Sequence, residues 1–239
     1  MKKRRESLYL SVVVPVCGEE ECLDEFCSRL FSVLAGQSLT FEVILVNNDR
    51  YGRNCSRLYS LAAVYPGFSV VEAARRRDQA AATLEGIRRS VGKYIVTIDA
   101  DMQNDPGDIP VLIEALRRGN DLVCGWRRRR NDPVFRRCVS FLSNRVYAFF
   151  TDYRLKDYNC GLNALNASLA DRLIASGSRG RFIKQALVLL AGSVSEVEVK
   201  HRSRLAGKSK YSMAVIILKG LDFIFNFRAA RFSAIEKFR

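Results

Sequence analysis

Two carboxylates separated by one residue, Asp99 and Asp101, follow an apolar run that begins at Tyr94. The run is rich in β-branched residues, which is typical of a buried strand. Alternate residues of an extended strand point to the same side, so both carboxylates are expected to face one small volume. Mg²⁺ or Mn²⁺ prefers such hard oxygen ligands together with substrate phosphates. The spacing predicts a metal and phosphate site; a solvated acidic turn before Pro106 is the alternative.

Strand-like and helix-like segments alternate through the first hundred or so residues, and the two carboxylates follow the fourth of the predicted strands. Strands are predicted at 8–16, 41–46, 68–71 and from 94, with helices at 23–34, 58–64 and 80–91. This alternation predicts an α/β fold with a Rossmann-like, mostly parallel sheet flanked by helices. Ligands bind at the carboxyl ends of such strands. The polar residues expected at that edge are Glu19, Asn47, Asn48, Asp49, Asp78, Gln79, Asp99 and Asp101.

The second half of the chain continues with shorter elements. The patterns predict helices at 109–116, 134–150, 167–175 and 182–190 and strands at 121–124 and 194–199. A basic loop at 201–211 precedes an apolar segment at 213–227. The sequence has no internal repeat and no long Gly/Ser linker. We therefore predict one domain at 1–211 and a C-terminal amphipathic helix with its tail at 212–239.

Charge and cysteine content narrow the class of protein. The 239 residues have a net charge of +14, which indicates an anionic partner: a nucleotide, a nucleic acid or an anionic membrane. No nucleic-acid motif accompanies the charge, so nucleic-acid binding is the least favoured class. The seven cysteines form no C-x-x-C pair and there is one histidine, which disfavours a zinc site or a disulfide framework and favours a reducing compartment.

The apolar segment at 213–227 bears on membrane association. It is shorter than the ~18 uncharged apolar residues of a spanning helix, and Lys219 and Asp222 interrupt it. It suits a helix that lies in the membrane interface, and an ordinary packing helix is the alternative. No secretory signal is visible after the basic N-terminus.

Five motifs occur in order along the chain: Asp78-Gln79-Ala80-Ala81, Asp99-Ala100-Asp101-Met102-Gln103, Gly125-Trp126-Arg127 with Arg130, Asp157-Tyr158-Asn159-Cys160-Gly161-Leu162, and Arg204-Leu205-Ala206-Gly207-Lys208-Ser209-Lys210-Tyr211. With them, the chain from about Ser11 to Ser212 resembles the family 2 glycosyltransferases, which have the GT-A fold. It is most similar to their polyprenyl-phosphate branch, which includes dolichol-phosphate mannose synthase and the bacterial undecaprenyl-phosphate sugar transferases.

The resemblance implies a hexosyltransferase of the polyprenyl-phosphate sugar synthase type. Its reaction would be an inverting, metal-dependent transfer of a sugar from a nucleotide sugar to undecaprenyl or dolichyl phosphate. The implied catalytic residues are Asp99, Asp101, Gln103, Arg127, Arg130, Arg204 and Lys210. The implied donor-binding residues are Pro15, Val16, Glu19, Asn47, Asn48, Asp49, Gln79, Asp99, Ala100 and Asp101. Mg²⁺ or Mn²⁺ would be held by Asp101, Asp99 and Gln103.

The chemistry of a phosphate acceptor agrees with the residue types present. An alcohol acceptor needs a general base, whereas a polyprenyl phosphate is already an anion. It needs cations that hold it against an anionic donor, and a metal that stabilises the departing diphosphate. The chain has many arginines and no evident histidine base. Arg204 and Lys210 lie inside a motif and are expected to function, while Arg128 and Arg129 are expected on a solvated face.

The partners implied are a nucleotide-sugar donor, a polyprenyl phosphate, the cytoplasmic face of a membrane, a membrane-protein partner and further copies of the chain, without nucleic acid. Three departures from the family pattern concern the pocket: Cys17-Gly18, Asn47-Asn48-Asp49-Arg50 where Asp-Asp-Gly-Ser or Asn-Asp-Gly-Ser is usual, and Asn163 in place of an arginine. They leave two alternatives open. One is a transferase that extends a glycan chain, and the other is a catalytically impaired homologue that binds nucleotide sugars.

Overall fold

The computed structural model describes residues 8–17, 21–49, 55–73, 79–128, 144–149, 151, 153–178 and 182–201. Strands and helices alternate through most of this range. In chain order they are β1 (Leu10–Val16), α1 (Leu23–Ala35), β2 (Phe41–Asn47), α2 (Cys55–Val64), β3 (Phe68–Glu72), α3 (Gln79–Arg89), β4 (Tyr94–Thr97), α4 (Ile109–Arg117), β5 (Leu122–Arg127), β6 (Asn163–Asn166), α5 (Ala167–Ala175), α6 (Ile183–Leu190) and β7 (Val194–Val199).

The strands form one seven-stranded sheet in the order β3-β2-β1-β4-β6-β5-β7. The neighbouring strands β3, β2, β1 and β4 are all parallel to one another, and β5 is parallel to β7. Only β6 among these strands runs antiparallel to its neighbours, β4 and β5. The predicted mostly parallel α/β sheet is thus confirmed, and β6 begins at the edge where the other strands end.

Helices cover both faces of the sheet, which explains the continuous apolar runs of its central strands. Val12 and Val14 of β1 lie in a core shared with α1, α2 and α4. Val13 points to the other face, into a core shared with α3, α5 and α6. Gly86 lets α3 approach this second face closely, because an added Cβ would lie 3.0 Å from Val46 Cγ2. Because α3 follows the end of β3, its first residue, Gln79, lies at the carboxyl edge of the sheet.

The central strands separate at this edge, between β1 and β4. The last register pair of β1 with β4 is Val13 with Thr97, whereas the pairing with β2 continues to Val16. Val13 O accepts a hydrogen bond from Ile98 N, so Pro15, two residues on, faces the side that β4 has left. A proline, which has no N–H to donate, is tolerated there. The resulting gap lies at the point where the strand order reverses, the usual ligand position in such sheets.

Two expectations about boundaries need correction. Because β4 ends at Thr97, Asp99 and Asp101 lie beyond the strand, in the loop that follows it, and the same-side rule for extended strands does not apply to them. The third helix covers Gln79–Arg89 rather than 80–91. Of the helix predicted at 134–150, residues 144–149 are helical. The segment predicted at 213–227 lies outside the described residues. No helix in the described ranges has the length and apolarity needed to cross a membrane.

Candidate functional site at the carboxyl edge of the sheet

The carboxyl edge brings together most of the residues that the sequence singled out and the structure describes. Pro15 and Val16 end β1, the turn of Asn47, Asn48 and Asp49 ends β2, Gln79 begins α3, and Asp99, Ala100, Asp101 and Gln103 follow β4. Arg127 ends β5 at the same edge. The turn at 157–162 joins them because it precedes the antiparallel β6. Glu19, Arg130, Arg204 and Lys210 lie outside the described residues.

Asp99 is half-buried and held from two directions. Its Oδ1 accepts a hydrogen bond of 2.6 Å from Gln79 Nε2. On the other side the backbone of Gly161 lies against the carboxylate, since a Cβ on Gly161 would come 2.6 Å from Asp99 Cγ and closer still to Oδ2. Thr97 Oγ1 donates to Gly161 O at 3.4 Å, which ties the same glycine to the end of β4. Both neighbours restrict the orientation of the carboxylate.

Asp101 lies in a tight bend that its own side chain stabilises. Oδ1 of Asp101 accepts a hydrogen bond of 3.1 Å from Gln103 N. Met102, between them, has φ of 61°, a left-handed conformation that is unfavourable for a residue with a side chain. Its side chain is buried, and Cys22 Sγ donates to Ala100 O at 3.3 Å. Packing on both sides therefore maintains a backbone conformation that Met102 would not adopt alone.

This donor set fits a divalent cation that is shared with a substrate. The described residues contain no group of three or more His, Cys, Asp or Glu side chains placed to hold a metal. Two carboxylates in one loop suit Mg²⁺ or Mn²⁺, which bind one or two protein carboxylates and complete their shells with phosphate oxygens and water. Asp101, Asp99 and Gln103, the three residues predicted to hold such an ion, all lie in the segment after β4.

The end of β2 forms a second polar group. Asn47 is buried, and its Nδ2 donates to both carboxylate oxygens of Glu72, each at 3.1 Å. The other amide atom, Asn47 Oδ1, accepts from Asp49 N at 3.1 Å. Asn48 Oδ1 is buried and has no hydrogen-bond partner in the part of the chain described. A buried acceptor without a partner is costly, so this atom is suited to an N–H or O–H group of a ligand.

Arg127 has a partner that the sequence did not predict. Its Nε and Nη2 donate to the carboxylate of Asp157 at 2.7 and 3.2 Å, and both side chains are buried. The resemblance implied an arginine that faces phosphate, whereas the structure shows one that fixes the turn at 157–161. Asp157 in turn accepts from Asn159 N at 3.0 Å.

Sequence reasoning missed Lys184 of α6. Its Nζ donates to the backbone carbonyls of Asp157 at 2.9 Å and Cys160 at 3.3 Å, and the residue is only 7% exposed. Its spacing was the available signal, because it lies three and four residues before the buried Leu187 and Val188 and so shares their face of the helix.

Glu196 of β7 contacts the same turn from another side. Its Oε1 accepts a hydrogen bond of 2.8 Å from Lys156 N. Burial raises the pKa of Glu196 above its ordinary value, while the backbone amides of Lys156 and Asp157 and the cation of Lys184 act in the opposite direction. Burial likewise raises the pKa of the Cys160 thiol and, to about 11, that of Cys124, so neither thiol is suited to act as a nucleophile.

The segment after β7 also reaches this edge. His201 forms an isolated antiparallel bridge with Asn104, and Lys200 N donates to Asp108 Oδ2 at 2.7 Å. Asn104 in turn accepts from Cys160 Sγ at 3.4 Å. The chain at 201, beyond which the basic motif lies, is thus adjacent to the loop that contains Asp101.

These features define an α/β protein of the GT-A fold class, with carboxylates and buried polar groups at the carboxyl edge of its sheet. Residues 11–173 match the family described as Glycosyl transferase family 2, and the chain belongs to that family.

Relatives at about one third identity are named for lipid-phosphate chemistry. The chain is 34% identical over 210 residues to the undecaprenyl-phosphate 4-deoxy-4-formamido-L-arabinose transferase of Aeromonas hydrophila, covering 87% of this chain and 64% of the relative. It is 34% identical over 218 residues to the dodecaprenyl-phosphate galacturonate synthase of Rhizobium johnstonii, covering 87% and 63%. The chain therefore spans less than two thirds of the length of these relatives.

Solved structures support the fold. Glucosyl-3-phosphoglycerate synthase from Mycobacterium tuberculosis, crystallised with Mn²⁺, UDP and glucosyl-3-phosphoglycerate, has a TM-score of 0.66 at 17% identity, covering 93% of this chain and 80% of that one. Mannosyl-3-phosphoglycerate synthase from Rubrobacter xylanophilus has a TM-score of 0.65 at 14% identity, covering 93% and 73%.

Proposed function

We propose that this chain transfers a sugar from a nucleotide-sugar donor to a polyprenyl phosphate, with inversion and with a divalent cation, at a membrane surface. The observation that supports it most is the position of Asp99 and Asp101 in one packed loop at the point where the strand order reverses. The names of the relatives support the acceptor class. The Mn²⁺ and UDP-sugar complex of a protein with the same fold supports the donor and the cation.

The proposed reaction is a single displacement. The phosphate oxygen of the acceptor bonds to the anomeric carbon as the bond from that carbon to the diphosphate oxygen breaks, and the nucleoside diphosphate leaves with the electron pair. No proton is transferred, because the acceptor oxygen is already anionic. A divalent cation, when bound, neutralises charge on the diphosphate. In this proposal Asp99, oriented by Gln79 and Gly161, would contact the sugar part of the donor, and Asp101 would hold the cation on its diphosphate.

The end of β2 is the proposed nucleotide pocket. Asn48 Oδ1, the buried acceptor without a described partner, would accept from the base or ribose. Asn47 cannot act as a free carboxylate would, since its amide is already bonded to Glu72 and to Asp49 N. The base preference is therefore expected to differ from that of a family member with an acidic pair at this position.

The proposed reaction takes place at a membrane surface. The net charge of +14 favours an anionic surface, and a polyprenyl acceptor resides in the bilayer. Flotation with anionic vesicles at low salt, and its loss at high salt or with neutral vesicles, is the expected result. Absence of the protein from the floating fraction at low salt would exclude unaided surface binding and favour a membrane-protein partner.

The direct test is release of nucleoside diphosphate from a panel of nucleotide sugars with Mn²⁺ or Mg²⁺. Each donor is offered with a short polyprenyl phosphate and, as the matched control, with the corresponding polyprenol. Turnover that requires the phosphate establishes the acceptor class, and the anomeric configuration of the product by NMR tests inversion. Turnover only with an oligosaccharide acceptor would instead support glycan extension. A folded protein that binds a nucleotide without turnover would support an impaired homologue.

A further inference from the structure

Charged and polar side chains of four separate elements hydrogen-bond to the turn at 157–161 or to the residue before it. Arg127 of β5 binds the Asp157 carboxylate, and Lys184 of α6 donates to the carbonyls of Asp157 and Cys160. Asn163 of β6 donates through Nδ2 to Cys160 O at 3.2 Å. Glu196 of β7 accepts from the amide of Lys156, the residue just before the turn.

The charged members of this group balance one another. Arg127 and Lys184 contribute two basic side chains, and Asp157 and Glu196 contribute two acidic ones. Arg127, Lys184 and Asp157 are nearly inaccessible, at 9%, 7% and 1% exposure. Burying ionised groups is unfavourable unless each is paired and hydrogen-bonded, so such an arrangement adds little to stability compared with an apolar core. Its hydrogen bonds hold the Asp157 carboxylate and two carbonyl oxygens of the turn.

The turn at 157–161 also contacts Asp99. Gly161 is its last residue, and its backbone leaves no room for even a methyl group beside the Asp99 carboxylate. A displacement of the turn therefore either releases Asp99 to rotate or pushes it aside. In the described part of the chain, Lys184 Nζ hydrogen-bonds only to backbone oxygens of this turn, those of Asp157 and Cys160.

We propose that Lys184 is a positioning residue for the sugar-transfer step, acting through the turn at 157–161 on the orientation of the Asp99 carboxylate. The inference rests on the proposed function for its reaction, and on the contacts above for its geometry. In this role Lys184 does not touch the donor. It keeps the turn in the position in which the backbone of Gly161 lies against the Asp99 carboxylate.

The test replaces Lys184 by methionine, which keeps an unbranched side chain of similar length and removes the donor to both carbonyls. We expect kcat to fall at least about 10-fold, since a misplacement of 1 Å can cost about 100-fold. The Kd for the nucleoside diphosphate is expected to stay within about 2-fold, because the end of β2 is untouched. Gly161→Ala acts on the same contact without changing a buried charge, and its kcat is expected to fall in the same way.

Asp121→Asn is the matched control for lost stability. It removes a partly buried carboxylate that accepts three hydrogen bonds, at the start of β5 and thus at the other edge of the sheet. If Lys184→Met and Asp121→Asn lose activity in proportion to their loss in Tm, the role of Lys184 is only structural and the proposal is overturned. Loss of kcat in Lys184→Met alone supports it.

A second readout separates this proposal from the proposed function. If the wild-type chain turns over no donor, the proposed function fails, and the Asp99 carboxyl resonance in protein labelled with ¹³C-aspartate decides the positioning role. A shift of that resonance in Lys184→Met, with none in Asp121→Asn, supports positioning. An unchanged resonance overturns it.

Discussion

The backbone of Gly161 lies directly against the carboxylate of Asp99, so the turn before β6 forms one wall of the site after β4. Gln79 bonds the other side of the same carboxylate at 2.6 Å. Because β6 is antiparallel to β4, the start of β6 and the end of β4 meet at the same edge. The antiparallel direction of β6 therefore places the late motif at 157–162 next to the earlier motif that contains Asp99.

Gly161→Ala tests this contact by adding a single methyl group. The Cβ would lie 2.6 Å from Asp99 Cγ, closer than side chains approach, so the carboxylate must move. We expect kcat to fall by about 10- to 100-fold with a small change in the Kd of the nucleotide. Gly36→Ala is the matched control, since its nearest neighbour, Ser32 O, would be 3.4 Å away. Equal kinetics of Gly161→Ala and wild type would show that the Asp99 orientation is not needed.

Asp101→Asn tests the proposed cation site while keeping the size of the side chain. The amide oxygen can still accept from Gln103 N, so the bend is preserved, but the charge that binds a cation is lost. We expect kcat/KM to fall at least about 100-fold, about 2.7 kcal/mol of transition-state stabilisation. The concentration of Mn²⁺ that gives half-maximal rate should rise.

The control for Asp101→Asn is Asp24→Asn, which removes an exposed carboxylate paired with Arg57 on the surface. Exposed pairs of this kind contribute little, so both rate and Mn²⁺ dependence should remain those of the wild type. An Asp101→Asn enzyme with unchanged Mn²⁺ dependence would remove Asp101 from the cation site.

Much of the sheet could be predicted because its pattern is local. Runs such as Val12, Val13 and Val14 are apolar on both faces, and each ends in polar residues, which identifies buried parallel strands and the edge where they end. The positions of Asn47, Asp99 and Asp101 at one edge follow from that pattern alone. The end of β4 could not be predicted, because Ile98 is as apolar as the strand before it.

The contacts that hold the turn at 157–161 beside the site could not be predicted, because they join residues far apart in the sequence. The helical spacing places Lys184 on the face of Leu187 and Val188, but no sequence pattern predicts its partners in the turn at 157–161 or the partial burial of Glu196. Arg127 was expected near phosphate because of its motif, while its bond to Asp157 joins residues 30 positions apart. The antiparallel direction of β6, which creates these contacts, has no signal in its four residues.

Asn47 and Glu72 form a hydrogen-bonded pair whose donor and acceptor can be exchanged. Asn47→Asp places a carboxylate opposite Glu72, its register partner, where a hydrogen bond of 3.1 Å now exists. Loss of that bond and like-charge repulsion should lower the free energy of unfolding by about 1–3 kcal/mol. Asn47→Asp with Glu72→Gln restores a donor to the new carboxylate, so the double variant should recover most of this stability.

Urea unfolding of the two single variants and the double variant measures this coupling as a double-mutant cycle. Additive effects would show that Asn47 and Glu72 do not interact in solution. The same proteins, tested with a panel of nucleoside diphosphates, report whether an acidic residue at position 47 changes the base preference.

Asp121 provides a pH-dependent test of the fold, separate from the site. It accepts from Asn166 Nδ2 at 2.6 Å, Arg172 Nη2 at 2.7 Å and Gly192 N at 2.8 Å. Burial alone would raise its pKa, but the hydrogen bonds and the Arg172 cation outweigh it and lower the pKa. A carboxyl whose pKa is lower in the folded state stabilises the fold above its unfolded pKa. That stabilisation is lost as pH falls through the folded value.

Asp121→Asn should therefore cost about 1–3 kcal/mol at pH 7 and progressively less below pH ~4, where the carboxyl gains its proton first in the unfolded and then in the folded wild type. Urea unfolding at pH 7, 5 and 3 measures the difference, with Asp171→Asn, an exposed residue of the same helix as Arg172, as the control. The control should remain near wild type at every pH, because single exposed charges contribute little. A difference between Asp121→Asn and wild type that is the same at pH 7 and pH 3 would show that the ionised carboxylate does not contribute to joining β5, α5 and the start of β7.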